Sequence, residues 1–140
     1  MASSIRSASI VLVALLAGRP ALAQGGSFDG TWSVTFTCPP TSDGTSGYTR
    51  RFLVAVQGGV LHGEIGVRGQ PAYLALDGRV QPNGQALMLG QGMTGNPDYA
   101  VTHPRPATPY SFTLPSTFAG NQGKGRRTEV RTCDAAFSRQ

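Results

Sequence analysis

The chain has 140 residues, of which 39% are hydrophobic, and a formal net charge of +5 at pH 7. A chain of this length fits one domain and leaves little room for a second core. The basic excess is too small to indicate a nucleic-acid-binding protein, which needs a broad basic face with interleaved aromatic residues.

The first residues have the layout of a secretory signal peptide. Arg6 precedes an apolar run from Ile10 to Ala17, and the small-residue pattern Ala21-Leu22-Ala23 follows. This run is well short of the roughly 20 apolar residues of a membrane-spanning helix. We therefore expect residues 1–23 to be removed on export, leaving residues 24–140 as a single periplasmic or secreted domain. Loss of two arginines would lower its formal charge from +5 to +3.

The two cysteines, Cys38 and Cys133, are predicted to form a disulfide. Export places them in an oxidising compartment, and they lie near opposite ends of the predicted domain. A metal site would need further ligands, and His62 and His103 do not cluster with the cysteines. The chain-entropy model gives a stabilisation of about 4–5 kcal/mol for a loop this long.

The segment Gly30–Cys38 has the period-two pattern of a half-buried β-strand. Its apolar side chains, Trp32, Val34, Phe36 and Cys38, share one face, while threonines and a serine occupy the other. We expect it to be the first strand, with the only tryptophan of the chain as a buried anchor.

Seven further segments are predicted to be strands, separated by glycine- and proline-rich turns, and no segment has a helical pattern. The fifth is apolar on both faces, so its inner face is not assigned. A glycine-rich turn is expected at Gly120–Gly125, before the last strand. The seven segments are Tyr48–Gln57, Val60–Val67, Ala72–Val80, Gln85–Met93, Asp98–Thr102, Tyr110–Ala119 and Arg126–Arg139.

Eight strands favour an all-β, antiparallel up-and-down barrel. With an even number of strands, the first and last can pair antiparallel, joined by the disulfide. If Cys38 lies opposite Cys133, then Val34 lies opposite Phe137 and Trp32 opposite Arg139. Apolar residues then meet each other, and a cation can lie on the tryptophan ring. This register predicts a structural role for Trp32 and Arg139.

The segment Gly30-Thr31-Trp32 resembles the Gly-x-Trp signature of calycin-type barrels, which include lipocalins, fatty-acid-binding proteins and avidins. Arg139 is similar in position to the basic residue that packs on that tryptophan. Gly59–Gly63 resembles the Gly-x-Leu-x-Gly strand of avidins, and Tyr48–Tyr99 is similar to small exported bacterial domains without an assigned activity. The resemblance implies a ligand-binding barrel, but biotin binding does not carry over because avidin sites use several tryptophans.

The end of the barrel near Cys38 is predicted to be an open mouth. Tyr48 and Arg50 begin the second strand there, and Arg127, Glu129 and Arg131 are in phase with Cys133 if no bulge intervenes. These arginines favour a polar or anionic ligand, because guanidinium groups match carboxylates and phosphates. The alternative is that they are solvated residues of the rim. Further cations are expected on adjoining turns at Arg68, Lys124 and Arg126.

No other pattern indicates a specific chemistry. His62 and Glu64 share a strand face but have no evident third metal ligand, and Gly123–Arg127 precedes a strand rather than a helix, unlike phosphate-binding loops. We expect no catalytic residue, metal or cofactor. The sequence thus favours a binding protein for a small molecule; the alternatives are a protein-interaction module, such as an inhibitor of a secreted protease, or a structural envelope protein.

Overall fold

The computed structural model describes residues 27–140, which form a closed antiparallel barrel of eight strands. Each strand pairs with the next in sequence, and β1 pairs with β8. The predicted signal peptide lies outside the described residues. The strands are β1 Gly30–Cys38, β2 Tyr48–Gln57, β3 Val60–Ile65, β4 Leu74–Val80, β5 Gln85–Met93, β6 Pro109–Ala119, β7 Gln122–Arg127 and β8 Cys133–Arg139.

The predicted closure of the barrel is confirmed. Cys38 and Cys133 form a disulfide, and the register of β1 and β8 places Val34 opposite Phe137 and Trp32 opposite Arg139. The inner faces of β1 and β2 are also as predicted, because both strands alternate between buried and more exposed residues.

Two predicted strands are wrong, although the total of eight is right. The segment Asp98–Thr102 contains no strand: a short 3-10 helix spans Pro97–Tyr99, with a turn after it. Pro97 fixes a helical φ, and the Asn96 side chain caps the helix by accepting a hydrogen bond from the Asp98 N–H. No helix in residues 27–140 is long and apolar enough to span a membrane.

The predicted last strand, Arg126–Arg139, is two strands instead of one. The chain turns tightly after Ala119, and β7 occupies most of the expected glycine-rich turn. Beyond Arg127 the chain leaves the sheet, and it re-enters at Cys133. The chain still has eight strands, because one predicted strand is absent and the predicted last strand is divided into β7 and β8.

The barrel interior is filled from the Trp32 end to about its middle. Trp32, Phe118 and Phe137 pack together there, and Phe36 stacks on Phe112 above them. The unassigned fifth strand turns Ala86, Met88, Gly90 and Gly92 inward and exposes its leucines. Its Gly90 lies opposite Phe112, where a Cβ would collide with the ring. Inward-facing glycines thus make room for aromatic rings from neighbouring strands.

Arg139 closes this filled end, as predicted. Its guanidinium carbon lies 4.8 Å from the centre of the Trp32 ring, and its Nη1 donates to the Asp29 carbonyl at 2.7 Å. The tryptophan Nε1 in turn donates to the Phe28 carbonyl at 2.9 Å. The chain preceding β1 is thereby held across the end of the barrel, so any cavity must lie at the other end.

Candidate functional site

A cavity of about 410 Å³ lies at the Cys38 end of the barrel. This volume is within the range of small-molecule binding sites. Four loops border it, between β1 and β2, β3 and β4, β5 and β6, and β7 and β8, and the loop between β5 and β6 contributes the most residues. Its described walls combine three arginines, three tyrosines and apolar side chains, and they include no aspartate or glutamate. The three arginines are Arg50, Arg127 and Arg131, and the tyrosines are Tyr48, Tyr99 and Tyr110.

Arg127 and Arg131 are both buried without a carboxylate partner, and Arg127 differs because its terminal nitrogens have no hydrogen-bond partner in the described chain. Arg127 is the last residue of β7, its side chain faces the barrel interior, and it is only 7% exposed. Its guanidinium lies 4.5 Å from the centre of the Phe112 ring, and its Nε donates to the Glu129 carbonyl at 3.0 Å. Among residues 27–140, no group accepts a hydrogen bond from its Nη1 or Nη2 and no carboxylate pairs with it. Two strong donors therefore remain available to a ligand.

Arg131 also lines the cavity, but both of its terminal nitrogens are already bonded to backbone carbonyls, and its buried Nε has no hydrogen-bond partner among the described residues. Nη2 donates to Pro39 at 2.6 Å and to Ser46 at 2.8 Å, and Nη1 donates to Tyr99 at 3.0 Å. It thus ties the β1–β2 loop and the β5–β6 loop to the residues just before β8, near the disulfide. This arrangement makes Arg131 a structural clip that positions the cavity walls, whereas the sequence suggested a ligand contact.

The two candidates on β2 lie where the sequence placed them, at the mouth. Arg50 donates from Nη1 to the Ala72 carbonyl at 2.6 Å, which leaves its other nitrogens for a ligand. The Tyr48 ring lies against the Arg131 guanidinium, 5.2 Å from ring centre to Cζ, and packs edge-on against Tyr99. Tyr48 and Arg50 therefore form one wall of the cavity.

Two of the three tyrosines that line the cavity were not among the predicted candidates. Tyr110, at the start of β6, stacks parallel to Phe112, and it can lie flat because Gly92 is opposite it on β5. The alternation of β6 already indicated that Tyr110 faces inward, so its position could have identified it. Tyr99 could not be found in this way, because its segment was predicted to be a strand.

Glu129 does not line the cavity, because the chain leaves the sheet between β7 and β8. It is exposed, and its carboxylate accepts hydrogen bonds from the Thr113 N–H at 2.8 Å and from the Thr113 hydroxyl at 2.7 Å. These bonds hold the pKa of the Glu129 carboxyl below its usual value. The carboxylate therefore satisfies a backbone donor in the middle of β6 and forms no ion pair with a cavity arginine, although its negative charge acts to raise the pKa of Arg127.

The cations predicted on adjoining turns also lie away from the cavity. Arg68 pairs with Glu64, and Lys124 and Arg126 are exposed on β7, where Arg126 pairs with Asp134 at 2.7 Å. Arg126 and Asp134 border an outer depression of about 650 Å³ that residues of β1, β5, β6, β7 and β8 line. Its arginine is paired with a carboxylate and its other cation, Lys124, is exposed, so this depression has no buried cation like Arg127.

Burial shifts the ionisation of the cavity groups. It lowers the pKa of the Arg127 guanidinium and raises the pKa of Tyr48, although nearby arginines act in the opposite direction on the tyrosine. Burial also raises the pKa of Tyr110 to about 12. At neutral pH the cavity thus presents neutral tyrosine hydroxyls next to guanidinium groups, which are donors suited to an anion.

The histidines have no catalytic or metal-binding arrangement in the described part of the chain. His62 forms an ion-pair contact with Asp77 on the outer wall, and Glu64 accepts a hydrogen bond from the Tyr73 hydroxyl at 2.6 Å. Residues 27–140 contain no group of three side chains that could hold a metal ion. The cavity is therefore the candidate site.

The features that characterise this cavity are its arginine charges, the burial of Arg127 and its tyrosine side chains. Comparisons of the chain with protein-family models, with curated proteins and with solved structures find no match.

Proposed function

We propose that this protein is an exported binding protein for a small anionic molecule, which it holds in the cavity at the Cys38 end of the barrel. The observation that carries the proposal is the buried Arg127 guanidinium, which lines the cavity and has no carboxylate partner in the described chain. A buried charge is costly unless it is paired, and an anionic ligand would supply the partner.

Two further features support an anion over a neutral or cationic ligand. Arg50 adds a second guanidinium on the opposite wall, and its only hydrogen bond is to the Ala72 carbonyl. Arg131 contributes its positive charge even though its hydrogen bonds are used within the protein. With three arginines and no carboxylate along the described walls, the field within the cavity is positive.

Export is supported by the disulfide, which is typical of proteins in oxidising compartments. The calycin-like Gly-x-Trp segment and its contact with Arg139 agree with a ligand-binding barrel. We assign binding rather than catalysis to the cavity, and we expect a calycin relationship on the grounds of these residues.

The experiment compares a matched pair of probes, benzoate and benzylamine, by NMR titration of the oxidised protein. Benzoate should bind and benzylamine should not, because the two share a ring and differ in the sign of their charge. Arg127→Met should weaken benzoate binding at least tenfold, since it removes the buried cation and keeps most of the side-chain volume.

Arg126→Met is the matched control, because Arg126 is the adjacent arginine of β7 but points outward and is already paired with Asp134. This variant should bind benzoate as the wild type does. Equal binding of the two probes, or equal loss of affinity in both variants, would contradict the proposed function.

A further inference from the structure

The rim of the cavity has an exposed apolar residue that is not part of the hydrophobic core. Val130 lines the cavity beside Arg127 and Arg131, yet it is 78% exposed, more than any other large hydrophobic residue of the described core and walls. Tyr99 lies at the same rim and is 46% exposed. An apolar surface is thus placed directly next to the buried cation.

Val130 is also held in a strained backbone conformation. Its φ is 63°, in the left-handed region that β-branched residues rarely adopt. Ala72, on the opposite side of the cavity, has a φ of 65°. Such conformations persist where surrounding contacts enforce them, and they cluster at ligand sites.

The contacts that enforce this conformation are made by Glu129, the residue before Val130. The Glu129 carbonyl accepts hydrogen bonds from Arg127 Nε at 3.0 Å and from the Arg131 backbone N–H at 2.6 Å. The Glu129 carboxylate is bonded to Thr113. Hydrogen bonds therefore hold both the carbonyl and the side chain of Glu129, the residue before Val130. The strained backbone of Val130 lies in the loop that directly follows Arg127.

We infer that the ligand carries an apolar ring next to its anionic group, and that Val130 is the specificity-determining residue that contacts this ring. The inference rests on the proposed function, because it takes the anion to be bound at Arg127. A ring is favoured over a flexible chain because three walls of the cavity are aromatic: Tyr48, Tyr99 and Tyr110 can pack against it face-on or edge-on. The ligand class is thus a small aromatic acid.

The test measures the affinities of acetate, benzoate and naphthoate for the wild type, Val130→Gly and Val130→Thr. In the wild type, affinity should rise with each added ring. Val130→Gly should lower naphthoate affinity about tenfold and acetate affinity less than twofold, because only the apolar contact is lost. It should also melt at an equal or higher temperature, since glycine adopts a positive φ without strain.

Val130→Thr keeps the branched shape and the strain but adds a hydroxyl, so it should also lose naphthoate affinity selectively. Leu87→Ala is the control, because Leu87 is an exposed leucine on the outer face of β5. Anion binding that does not rise with ring size, or a ring preference that Val130→Gly leaves intact, would overturn this inference while the proposed function stands. Failure of all three acids to bind would overturn both.

Discussion

Arg127, Arg131 and Arg139 are three arginines with three different roles, and their immediate partners explain the difference. Arg139 lies on an indole ring and bonds to the carbonyls of Ser27 and Asp29, so it seals one end of the barrel. Arg131 has both terminal nitrogens on carbonyls of the border loops. Arg127 alone keeps two nitrogens unbonded within the described chain. The sequence predicted the structural role of Arg139 but proposed both Arg127 and Arg131 as ligand contacts, because phase along a strand does not reveal which backbone carbonyls a side chain will meet.

Arg139→Ala should lower the free energy of unfolding by about 2–3 kcal/mol. The change removes a cation over a buried indole and leaves two carbonyls without their donor. Arg139→Lys should recover only part of this loss, because one ammonium cannot reproduce the planar fork. Urea denaturation measures the effect, and exposed Arg79 on β4 provides the control. A loss in Arg79→Ala as large as that in Arg139→Ala would contradict the structural role.

Tyr110 should make the stability of the protein fall at alkaline pH. Its pKa is raised to about 12 in the folded state by burial, from an ordinary value near 10. Below pH 10 the tyrosine keeps its proton in both the folded and the unfolded protein, so its ionisation does not reduce the free energy of unfolding. As pH rises from about 10 to 12 the unfolded state loses the proton first, and about 2–3 kcal/mol is lost.

Denaturation at a series of alkaline pH values checks this prediction, with tyrosinate absorbance reporting the ionisation. Tyr110→Phe should give a smaller decline over the same interval. An identical decline in both proteins would show that Tyr110 is not the group responsible.

At the scale of a strand, β5 determines how much of the barrel is filled. Its inner face presents Gly90 and Gly92 to the rings of Phe112 and Tyr110, and a Cβ on Gly92 would lie 2.6 Å from the Tyr110 ring. Without these glycines the two rings could not lie flat against the sheet. The stacked rings place the floor of the cavity below Tyr110.

Gly90→Ala should destabilise the protein by about 1–3 kcal/mol, because the added methyl group collides with a ring that has no free space behind it. Leu87→Ala, on the outer face of the same strand, should change stability by less than about 0.5 kcal/mol. Urea denaturation of both variants separates these outcomes. Equal effects of the two substitutions would contradict the close packing at Gly90.

Strand patterns predicted the elements of this barrel where apolar residues alternate over long segments. The bounds of β1, β2 and β5 match the prediction, and the cysteine pair gave the register that closes the barrel. The prediction failed where local features decide the structure. Pro97 and the Asn96 cap begin a short helix in place of a strand, and Gly123 and Gly125 extend β7 through a segment whose composition resembles a turn.

The candidate site could be predicted only in part for the same reason. Tyr48 and Arg50 follow directly from the phase of β2. Glu129 was misplaced because the strand was expected to continue through residues 128–132, where the chain instead forms a loop. Val130 could not have been predicted as a site residue. The alternation of apolar and polar residues indicates neither its exposure in a loop nor its positive φ.

For the molecule as a whole, the disulfide connects the barrel seam to the cavity. It joins the end of β1 to the start of β8, two residues from the Arg131 clip. Removing it in a Cys38→Ala, Cys133→Ala variant should lower the free energy of unfolding by about 4–5 kcal/mol, because the unfolded chain regains the freedom of a long loop. Wild-type protein kept reduced without alkylation should show a loss of similar size, because no group is added to the buried sulfur atoms. A loss below about 1 kcal/mol would contradict the stabilising role.

The central claim is that an anion binds at the Cys38 end of the barrel through Arg127. The most direct measurement is a map of NMR chemical-shift changes on adding benzoate to the oxidised wild-type protein, including the arginine Nε–H signals. We predict the largest changes at Arg127 and in the neighbourhood of Tyr48 and Tyr110, with no change at the Arg139 Nε–H. Changes centred on the Trp32 end or on the outer wall, or no changes at all, would contradict the account.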